Sequence, residues 1–222
     1  MPAFPDAGFN AVAPFYDRLA KLVFGDQLEK AQLATLPFIP ENASVLVVGG
    51  GSGWILMQLL QQNHCREIVY LDASEKMLRL TEKKLQQVKP AQTKTELRLG
   101  TEKDLKPGET FDVIITNFLL DLFTEPRLQS LLTKLGKTLR PGGFWLVSDF
   151  RFIEVKQAWW QKALLKSMYL FFKLTCRINA GQLPDWNKAL HQHGLIKIKS
   201  ELFYNQMIEA AVYQDNVARK PL

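Results

Sequence analysis

The sequence has few of the residues that stabilise small secreted proteins or bind metal ions. Its 222 residues include only two cysteines, Cys65 and Cys176, without the CxxC spacing of a zinc or redox site. Two cysteines are too few for a disulfide framework, so we expect a reducing, cytoplasmic location. His191 and His193, separated by one residue, precede Gly194 at a predicted helix end, where cationic side chains interact favourably with the helix dipole, and no metal site is predicted.

Long apolar runs are also absent. No window approaches the roughly 18 uncharged apolar residues of a membrane-spanning helix. The opening MPAFPDAGFNAVAPF lacks the basic start and unbroken apolar stretch of a secretory leader. Hydrophobic residues make up 47% and charged residues 23% of the chain, which excludes a disordered protein. We expect one soluble, globular domain over residues 1–222.

Basic charge is concentrated in one segment. The formal net charge is +6, and residues 151–180 carry +5 of it, so the rest of the chain is nearly neutral. A nucleic-acid-binding protein has a more generally basic surface, so no nucleic-acid partner is predicted.

Short apolar runs alternate with longer helical patterns along the chain. This order predicts a doubly wound, Rossmann-like α/β fold whose seven-stranded sheet is mostly parallel with an antiparallel C-terminal strand. The runs VLVV, FDVII and FWLV are apolar at consecutive positions, as in strands covered by helices on both faces. The predicted strands cover residues 44–48, 67–71, 96–99, 111–115, 144–147, 195–203 and 207–213. The predicted helices cover residues 13–24, 27–36, 54–62, 75–88, 126–139 and 183–193, and Asn205-Gln206 connects the last two strands as a hairpin.

A glycine-rich turn joins the first predicted strand to the next helix. Gly49, Gly51 and Gly53 have the GxGxG spacing, and glycine at such a turn allows positive φ and the close approach of a ligand to the backbone. The GxGxxG pattern of dinucleotide sites requires a further glycine where Trp54 stands, and no Gly-Lys-Ser/Thr of a phosphate-binding loop follows. The turn therefore predicts a different nucleotide-like ligand.

An acidic residue, Asp72, ends the second predicted strand, 19 residues after Gly53. A carboxylate there can accept hydrogen bonds from both hydroxyls of a ribose. Its alternative role is to cap the following helix together with Ser74, because aspartate and serine are both favoured at helix N-termini.

These features together resemble the class I S-adenosylmethionine-dependent methyltransferases. The likeness covers residues 10–150 and includes YLDASEKML, FDVIITNFLLDLF, LRPGGFWLVSDF and the opening NAVAPFYDRLA, which is similar to small-molecule methyltransferases of quinone biosynthesis. It implies S-adenosylmethionine as cofactor and S-adenosylhomocysteine as product. It also implies four parts: an N-terminal helical cap (1–40), a cofactor-binding core (41–150), a basic aromatic helical lid (151–180), and a last helix with a C-terminal hairpin (181–222).

The resemblance also implies the residues around the cofactor. The methionine moiety lies over the three loop glycines, the ribose on Asp72, and the adenine beside residues of the next two strand ends. Met77 could equally be a core residue and Tyr16 a packing residue of the cap. The implied cofactor residues are Tyr16, Gly49, Gly51, Gly53, Asp72, Ala73, Met77, Thr101, Glu102 and Asn117.

Two positions depart from the family pattern. Val47 stands where the first strand usually has an acidic residue, and Thr101 stands where an aspartate often contacts the adenine amine. The lost charged hydrogen bonds predict weaker cofactor binding, unless Glu102 or a water substitutes.

Methyl transfer depends mainly on positioning and water exclusion, and a base is needed only where the acceptor carries a proton. Asp149 is the first candidate for this base and Asp121 the second. Tyr16 is also a candidate by its position in the sequence. Both aspartates follow predicted strands, where an aspartate more often caps a turn or binds loop amides.

Residues 154–176 have a helical pattern with lysines on one side and large apolar side chains on the other. The apolar side could pack on the domain, line a pocket for an apolar acceptor, lie on an anionic bilayer or form a dimer contact. The sequence thus predicts methyl transfer to a small, hydrophobic or aromatic acceptor. The alternative is a non-catalytic S-adenosylmethionine-binding or membrane-associated scaffold.

Overall fold

A computed structural model describes residues 16–62, 65–88, 93–151, 161 and 183–216 of the chain. These residues form one seven-stranded sheet with six helices, as the α/β pattern of the sequence predicts. The strands are β1 (Ser44–Val48), β2 (Glu67–Asp72), β3 (Lys94–Leu99), β4 (Phe111–Asn117), β5 (Leu139–Phe150), β6 (Leu195–Phe203) and β7 (Ile208–Asp215). The helices are α1 (Tyr16–Phe24), α2 (Gln27–Thr35), α3 (Trp54–Gln62), α4 (Glu75–Leu85), α5 (Glu125–Gly136) and α6 (Trp186–Gln192).

The order of strands across the sheet creates a cleft between β1 and β4. The order is β3-β2-β1-β4-β5-β7-β6, and β1 to β5 are all parallel. The chain runs outward from β1 to β3 and then returns to β4 on the other side of β1. In open α/β sheets ligands bind at the carboxyl ends of the strands where the order reverses in this way. The reversal therefore lies next to the predicted glycine turn.

The C-terminal hairpin completes the sheet with the one antiparallel strand that the sequence predicts. β7 pairs antiparallel with both β5 and β6. The connection between β6 and β7 has three successive residues with positive φ, Tyr204, Asn205 and Gln206. No glycine marks this turn, which is why the sequence indicated it only through the polar pair Asn205-Gln206.

Hydrophobic cores cover both faces of the central strands, as their consecutive apolar residues predict. Leu46 and Val48 of β1 pack on one face, in a cluster that also contains residues of α5 and α6. Val45 and Val47 pack on the other face, in a cluster with residues of α3. The family's acidic position in the first strand is thus occupied by a valine that is 1% exposed, inside a core.

The N-terminal helices pack on the sheet near the carboxyl ends of its strands. The Ser148 hydroxyl of β5 donates to the main-chain oxygen of Ala31 in α2 (3.0 Å), and the ring of Phe24 in α1 lies 5.3 Å from that of Phe150. The assignment of residues 1–40 as a cap stays a prediction. Residues 1–15 lie outside the described residues.

Several element ends differ from the sequence prediction. α6 begins at Trp186 rather than at residue 183, because Asp185 caps it by accepting from the Lys188 amide (3.0 Å). β5 begins at Leu139, ahead of the predicted 144, since its pairing with β4 extends through Leu139 and Phe111. The predicted lid lies outside the described residues except for Arg151 and Gln161.

Candidate functional site

The glycine loop between β1 and α3 has the backbone conformation that only glycine adopts easily. Gly49, Gly51 and Gly53 have φ values of 66°, 70° and 91°. Residues with a Cβ rarely adopt such positive φ values, so the backbone conformation of the loop requires glycine at these three positions. The Gly49 amide donates to the oxygen of Leu71 in β2 (2.8 Å), which fixes the start of the loop against the neighbouring strand.

Three side chains from β2 and α4 hold the rest of the loop. Asp72 Oδ2 accepts a hydrogen bond from the Gly51 amide (2.7 Å). The Tyr70 hydroxyl donates to the Gly50 oxygen, and the Thr81 hydroxyl lies 3.0 Å from the Gly51 oxygen. The loop shape is therefore imposed by groups outside the loop as well as by its glycines.

The back of the loop is closed and its front is open. A Cβ at Gly50 would overlap the Tyr70 ring, and one at Gly53 would lie 2.9 Å from Cα of Thr81. A Cβ at Gly51, in contrast, would meet no atom within 4 Å. Trp54 does not fill this space but packs against the hydrophobic cluster of Val47. The open face at Gly51 leaves room for a ligand at the backbone.

Asp72 binds two main-chain amides at the end of β2 and does not itself cap the following helix. Its side chain is mostly buried, and Oδ1 accepts from the Ser74 amide (2.7 Å) while Oδ2 binds Gly51. Ser74, rather than Asp72, caps α4 by accepting from the Met77 amide (3.2 Å). Burial raises the pKa of Asp72, and the two amide hydrogen bonds oppose that rise. Each carboxylate oxygen keeps a second lone pair that can accept a ligand hydroxyl.

The residues predicted beside the adenine lie at the ends of β2 and β3. Ala73 is half-buried directly after β2, and Met77 is 2% exposed on the inner face of α4. Thr101 caps a short 3-10 turn by accepting from the Lys103 amide (3.3 Å). Their contacts with an adenine stay predictions.

Glu102 is already engaged by another residue. It is 1% exposed, and its two oxygens each accept from Arg127 of α5 at 2.8 Å. The Arg127 guanidinium also lies 4.9 Å from the centre of the Phe123 ring. A buried carboxylate that forms an ion pair with Arg127 is poorly suited to replace the missing aspartate at Thr101, so this geometry favours a structural role for Glu102.

Asn117, at the carboxyl end of β4, forms one side-chain hydrogen bond with α2. Its Nδ2 donates to Gln32 Oε1 of α2 (3.3 Å). Its Oδ1 is buried and has no hydrogen-bond partner among the described residues. A buried acceptor without a donor is unfavourable unless a ligand or water supplies one. Asn117 is therefore well suited to contact a ligand at the carboxyl ends of β1 and β4, where the strand order reverses.

The two candidate bases hold the loop that follows β4. Asp149 is 0% exposed; its Oδ2 accepts from the amides of Leu119 (3.1 Å) and Leu120 (2.8 Å), and its Oδ1 accepts from Phe150 (2.8 Å). Asp121 is also buried and forms a hydrogen bond with Asp149. The Leu119 side chain lies against Gly49, 2.8 Å from the position of a Cβ there. This geometry favours loop support over proton transfer for both aspartates.

Both aspartates also have raised pKa values. Burial raises the pKa of Asp149, and its hydrogen bonds with Asp121 and with main-chain amides oppose that rise. Burial, followed by the charge of Asp149, raises the pKa of Asp121 well above its usual range. Because Asp149 binds several amides, it keeps the negative charge and Asp121 carries the shared proton.

Sequence reasoning missed several residues that contact the glycine loop or the other candidate site residues. Tyr70, Gln32 and Arg127 carry no motif, since such residues are common in strands and helices. Thr81 gave one usable signal, because it is a polar residue on the otherwise apolar buried face of α4. Tyr16 begins α1, and its side chain lies outside the described part of the chain.

Comparison with known proteins agrees with this site. Residues 46–145 match the family model described as a methyltransferase domain, a range that contains the glycine loop, Asp72 and Asn117. The match supports a class I S-adenosylmethionine-dependent methyltransferase. This agreement confirms the family resemblance of the sequence, while the narrower likeness to quinone-biosynthesis enzymes stays a prediction.

Two curated proteins are similar in sequence to part of this chain. Malonyl-[acyl-carrier protein] O-methyltransferase of Priestia megaterium is 26% identical over 142 residues, which are 64% of this chain and 49% of the relative. Polyamine aminopropyltransferase of Pyrobaculum aerophilum is 30% identical over 117 residues, 47% of this chain and 40% of the relative. The chain thus spans half or less of the curated relatives it matches.

A solved structure shows the same fold over nearly the whole chain. The 1,6-didemethyltoxoflavin-N1-methyltransferase of Burkholderia thailandensis, determined with S-adenosylhomocysteine, has a TM-score of 0.67 and 16% identity. The match covers 95% of this chain and 88% of that chain. At this identity the comparison concerns the fold alone.

A substitution at Tyr70 tests whether the loop must be held for binding. Tyr70→Phe removes the hydroxyl that binds Gly50 but keeps the ring, so we expect S-adenosylhomocysteine to bind about 3- to 10-fold more weakly, the worth of one hydrogen bond. Isothermal titration calorimetry measures the change.

The matched control is Tyr213→Phe. Tyr213 is an equally buried tyrosine of β7 whose hydroxyl binds Asn187. We expect this variant to lose comparable stability without any change in affinity. Equal affinities of Tyr70→Phe and the wild-type protein would contradict the proposed role of Tyr70.

The shared proton of Asp121 predicts a pH dependence of stability. Between about pH 4, the ordinary pKa of an aspartate, and the raised pKa of Asp121, the folded protein binds at least one proton more than the unfolded chain, because the pKa of Asp149 is raised as well. The free energy of unfolding therefore falls as pH rises through this range. In Asp121→Asn, the side-chain amide can donate a hydrogen bond to Asp149 at any pH. We therefore expect this variant to become more stable than the wild-type protein by about 1–3 kcal/mol as the pH rises from 5 to 8.

Urea unfolding of both proteins at several pH values measures this difference. Asp26→Asn, at an exposed aspartate whose partner is Lys21, serves as the control and should follow the wild-type curve. Parallel stability curves of the wild-type protein and Asp121→Asn would show that Asp121 carries no proton in the folded state.

Proposed function

We propose that the chain transfers the methyl group of S-adenosylmethionine to a small acceptor. The observation that carries this proposal is the glycine loop itself, which is open at Gly51 and held by the carboxylate of Asp72. Two of the similar proteins, the malonyl-[acyl-carrier protein] O-methyltransferase and the 1,6-didemethyltoxoflavin-N1-methyltransferase, are named for methyl transfer.

The residues of the site fit this cofactor. The Gly51 face accommodates a group in contact with the backbone, and Asp72 has acceptor capacity for ribose hydroxyls. Asn117 Oδ1 offers one more acceptor at the opposite end of the loop. When bound, S-adenosylmethionine supplies an electrophilic methyl group: an acceptor lone pair takes it, the electrons of the broken carbon–sulfur bond stay on sulfur, and S-adenosylhomocysteine remains.

The protein contributes positioning and exclusion of water rather than an evident base. Asp149 and Asp121 are occupied with loop amides and with each other, so their proposed role is to hold Leu119 against Gly49. We infer an acceptor whose proton leaves without help from either aspartate. Such a reaction relies on alignment of the acceptor with the methyl group, which can account for most of the acceleration of a displacement.

The proposed acceptor is hydrophobic or aromatic, and residues 151–180 are its proposed lid. The sequence of 154–176 supports this proposal through its apolar side. The described Gln161 donates to the oxygen of Asn205 in the β6–β7 turn (3.0 Å) and is 8% exposed. No helix of the described residues is long and apolar enough to cross a membrane. Contact of 154–176 with an anionic membrane surface stays a prediction.

Calorimetric titration with S-adenosylmethionine and S-adenosylhomocysteine tests the function. We expect both to bind, and Asp72→Ala to bind at least about 10-fold more weakly because it loses a charged acceptor of two ribose hydroxyls. Asp26→Ala, at an exposed aspartate away from the loop, should bind like the wild-type protein.

Each result separates the candidate functions. Absence of binding by either compound at millimolar concentration would refute the methyltransferase function. Binding without methyl transfer to any member of a broad panel of phenols, amines and thiols would favour a non-catalytic, cofactor-binding scaffold.

A further inference from the structure

The side chain of Leu119 packs directly on the first glycine of the loop. Its Cδ1, Cδ2 and Cγ atoms lie 2.8, 3.2 and 3.3 Å from the position of a Cβ on Gly49. This contact is possible only because Gly49 has no side chain, and Gly49 has the positive φ of 66° with which the loop begins. Leu119 therefore occupies the space beside Gly49 and limits the movement of the loop at this end.

The backbone of Leu119 is fixed by Asp149. The Leu119 amide donates to Asp149 Oδ2 (3.1 Å), and the amides of Leu120 (2.8 Å) and Asp121 (3.4 Å) donate to the same oxygen. A hydrogen bond between the Asp121 and Asp149 side chains joins the following turn, Leu120–Leu122, to the same carboxyl group. A displacement of this turn would consequently displace Leu119 as well.

The two carboxyl groups lie together only while they share a proton. Asp149 is 0% and Asp121 5% exposed, so water reaches neither side chain to an appreciable extent. Loss of the proton would leave two negative charges side by side in a buried site, which is strongly unfavourable. The charged Asp121 is stabilised by water, and it reaches water when the turn moves outward. The segment that would open is thus the one that carries Leu119.

No positive charge on the adjoining elements is free to compensate the pair, as far as the described residues show. Burial, followed by the charge of Asp149, raises the pKa of Asp121. Charged side chains of β7 and α5 have partners of their own: Glu209, opposite Asp149 in the strand register, with Lys197 and Arg151; Arg127 with Glu102; and the exposed Glu125 with Gln129.

We propose that Leu119 is a positioning residue for the glycine loop, and that through it cofactor binding depends on the proton shared by Asp121 and Asp149. The inference rests on the proposed function, because its ligand is the cofactor of that function. With the proton bound, the turn stays closed and Leu119 holds Gly49 in the binding conformation. With the proton lost, the turn opens and the ligand must order the loop itself, so affinity falls. Proton and cofactor therefore bind cooperatively.

The pH dependence of S-adenosylhomocysteine binding tests this coupling. Isothermal titration calorimetry from about pH 5.5 to about pH 8.5 covers the range between an ordinary and a raised aspartate pKa. We expect the Kd of the wild-type protein to rise with pH, by up to about 10-fold per pH unit, because one proton is taken up with each ligand. Asp121→Asn donates to Asp149 at any pH, so its Kd should be nearly independent of pH. Titration of the ligand itself is common to all the proteins.

Leu119→Ala distinguishes a positioning role from a merely structural one. It removes the contact with Gly49 but keeps both acids and the main-chain hydrogen bonds. We expect weaker binding at low pH, by about 3- to 10-fold, and no further weakening as pH rises. The free energy of unfolding of this variant should still fall with pH, as in the wild-type protein.

The matched control is Leu122→Ala. Leu122 is a half-buried leucine of the same turn whose amide binds the Leu119 oxygen rather than Asp149. This variant should keep the wild-type dependence of Kd on pH. Thermal unfolding of every variant at each pH checks that it is folded.

Other results overturn the proposal. A wild-type Kd that stays constant while stability falls with pH would mean that the acid pair stabilises the fold without acting on the loop. The wild-type pH slope in Asp121→Asn would assign the proton to another group, and the same slope in Leu119→Ala would rule out Leu119 as the link. Failure of the wild-type protein to bind at any pH would refute the proposed function itself, and is thereby distinguishable from failure of the coupling.

Discussion

The hydrogen bond between the Gly51 amide and the Asp72 carboxylate is the interaction on which the site depends. It joins the loop after β1 to the end of β2 and keeps Asp72 at the cleft. Without it, a loop of four glycines would have many accessible conformations, and ordering it would cost binding energy. Tyr70 and Thr81 limit the loop further from below, so its open face at Gly51 is preformed. Binding therefore begins from an organised surface.

On the other side of the cleft, Asp149 also orders a loop by accepting hydrogen bonds from main-chain amides. Asp149 at the end of β5 gathers the amides of Leu119 and Leu120, as Asp72 gathers those of Gly51 and Ser74. In both cases a carboxylate near the end of one strand orders the loop that follows the neighbouring strand in the sheet. The proton shared with Asp121 allows two buried carboxyl groups to lie together, because only one of them is charged. The cleft is thus framed by two loops that side chains of neighbouring strands hold.

Features that depend on local geometry could be predicted from the sequence. The glycine loop and the start of α3 at Trp54 follow from backbone requirements, and the parallel strands follow from their apolar runs. Contacts between distant segments could not be predicted. Gln32 meets Asn117 across 85 positions of the chain, and the roles of Asp149 and Asp121 depend on how the loop after β4 packs. Sequence patterns record what a residue can do, and only the fold decides which groups it meets.

The central claim, that the preformed glycine loop is the cofactor site, is tested most directly by nuclear magnetic resonance of protein labelled with 15N-glycine. The 13 glycines of the chain report on the loop and on distant regions in one spectrum. On titration with S-adenosylhomocysteine, the amide signals of Gly49, Gly51 and Gly53 should move to saturation, while those of Gly108 and Gly136 should stay in place. Unmoved loop signals at millimolar ligand, or shifts confined to Gly108 and Gly136, would contradict the account.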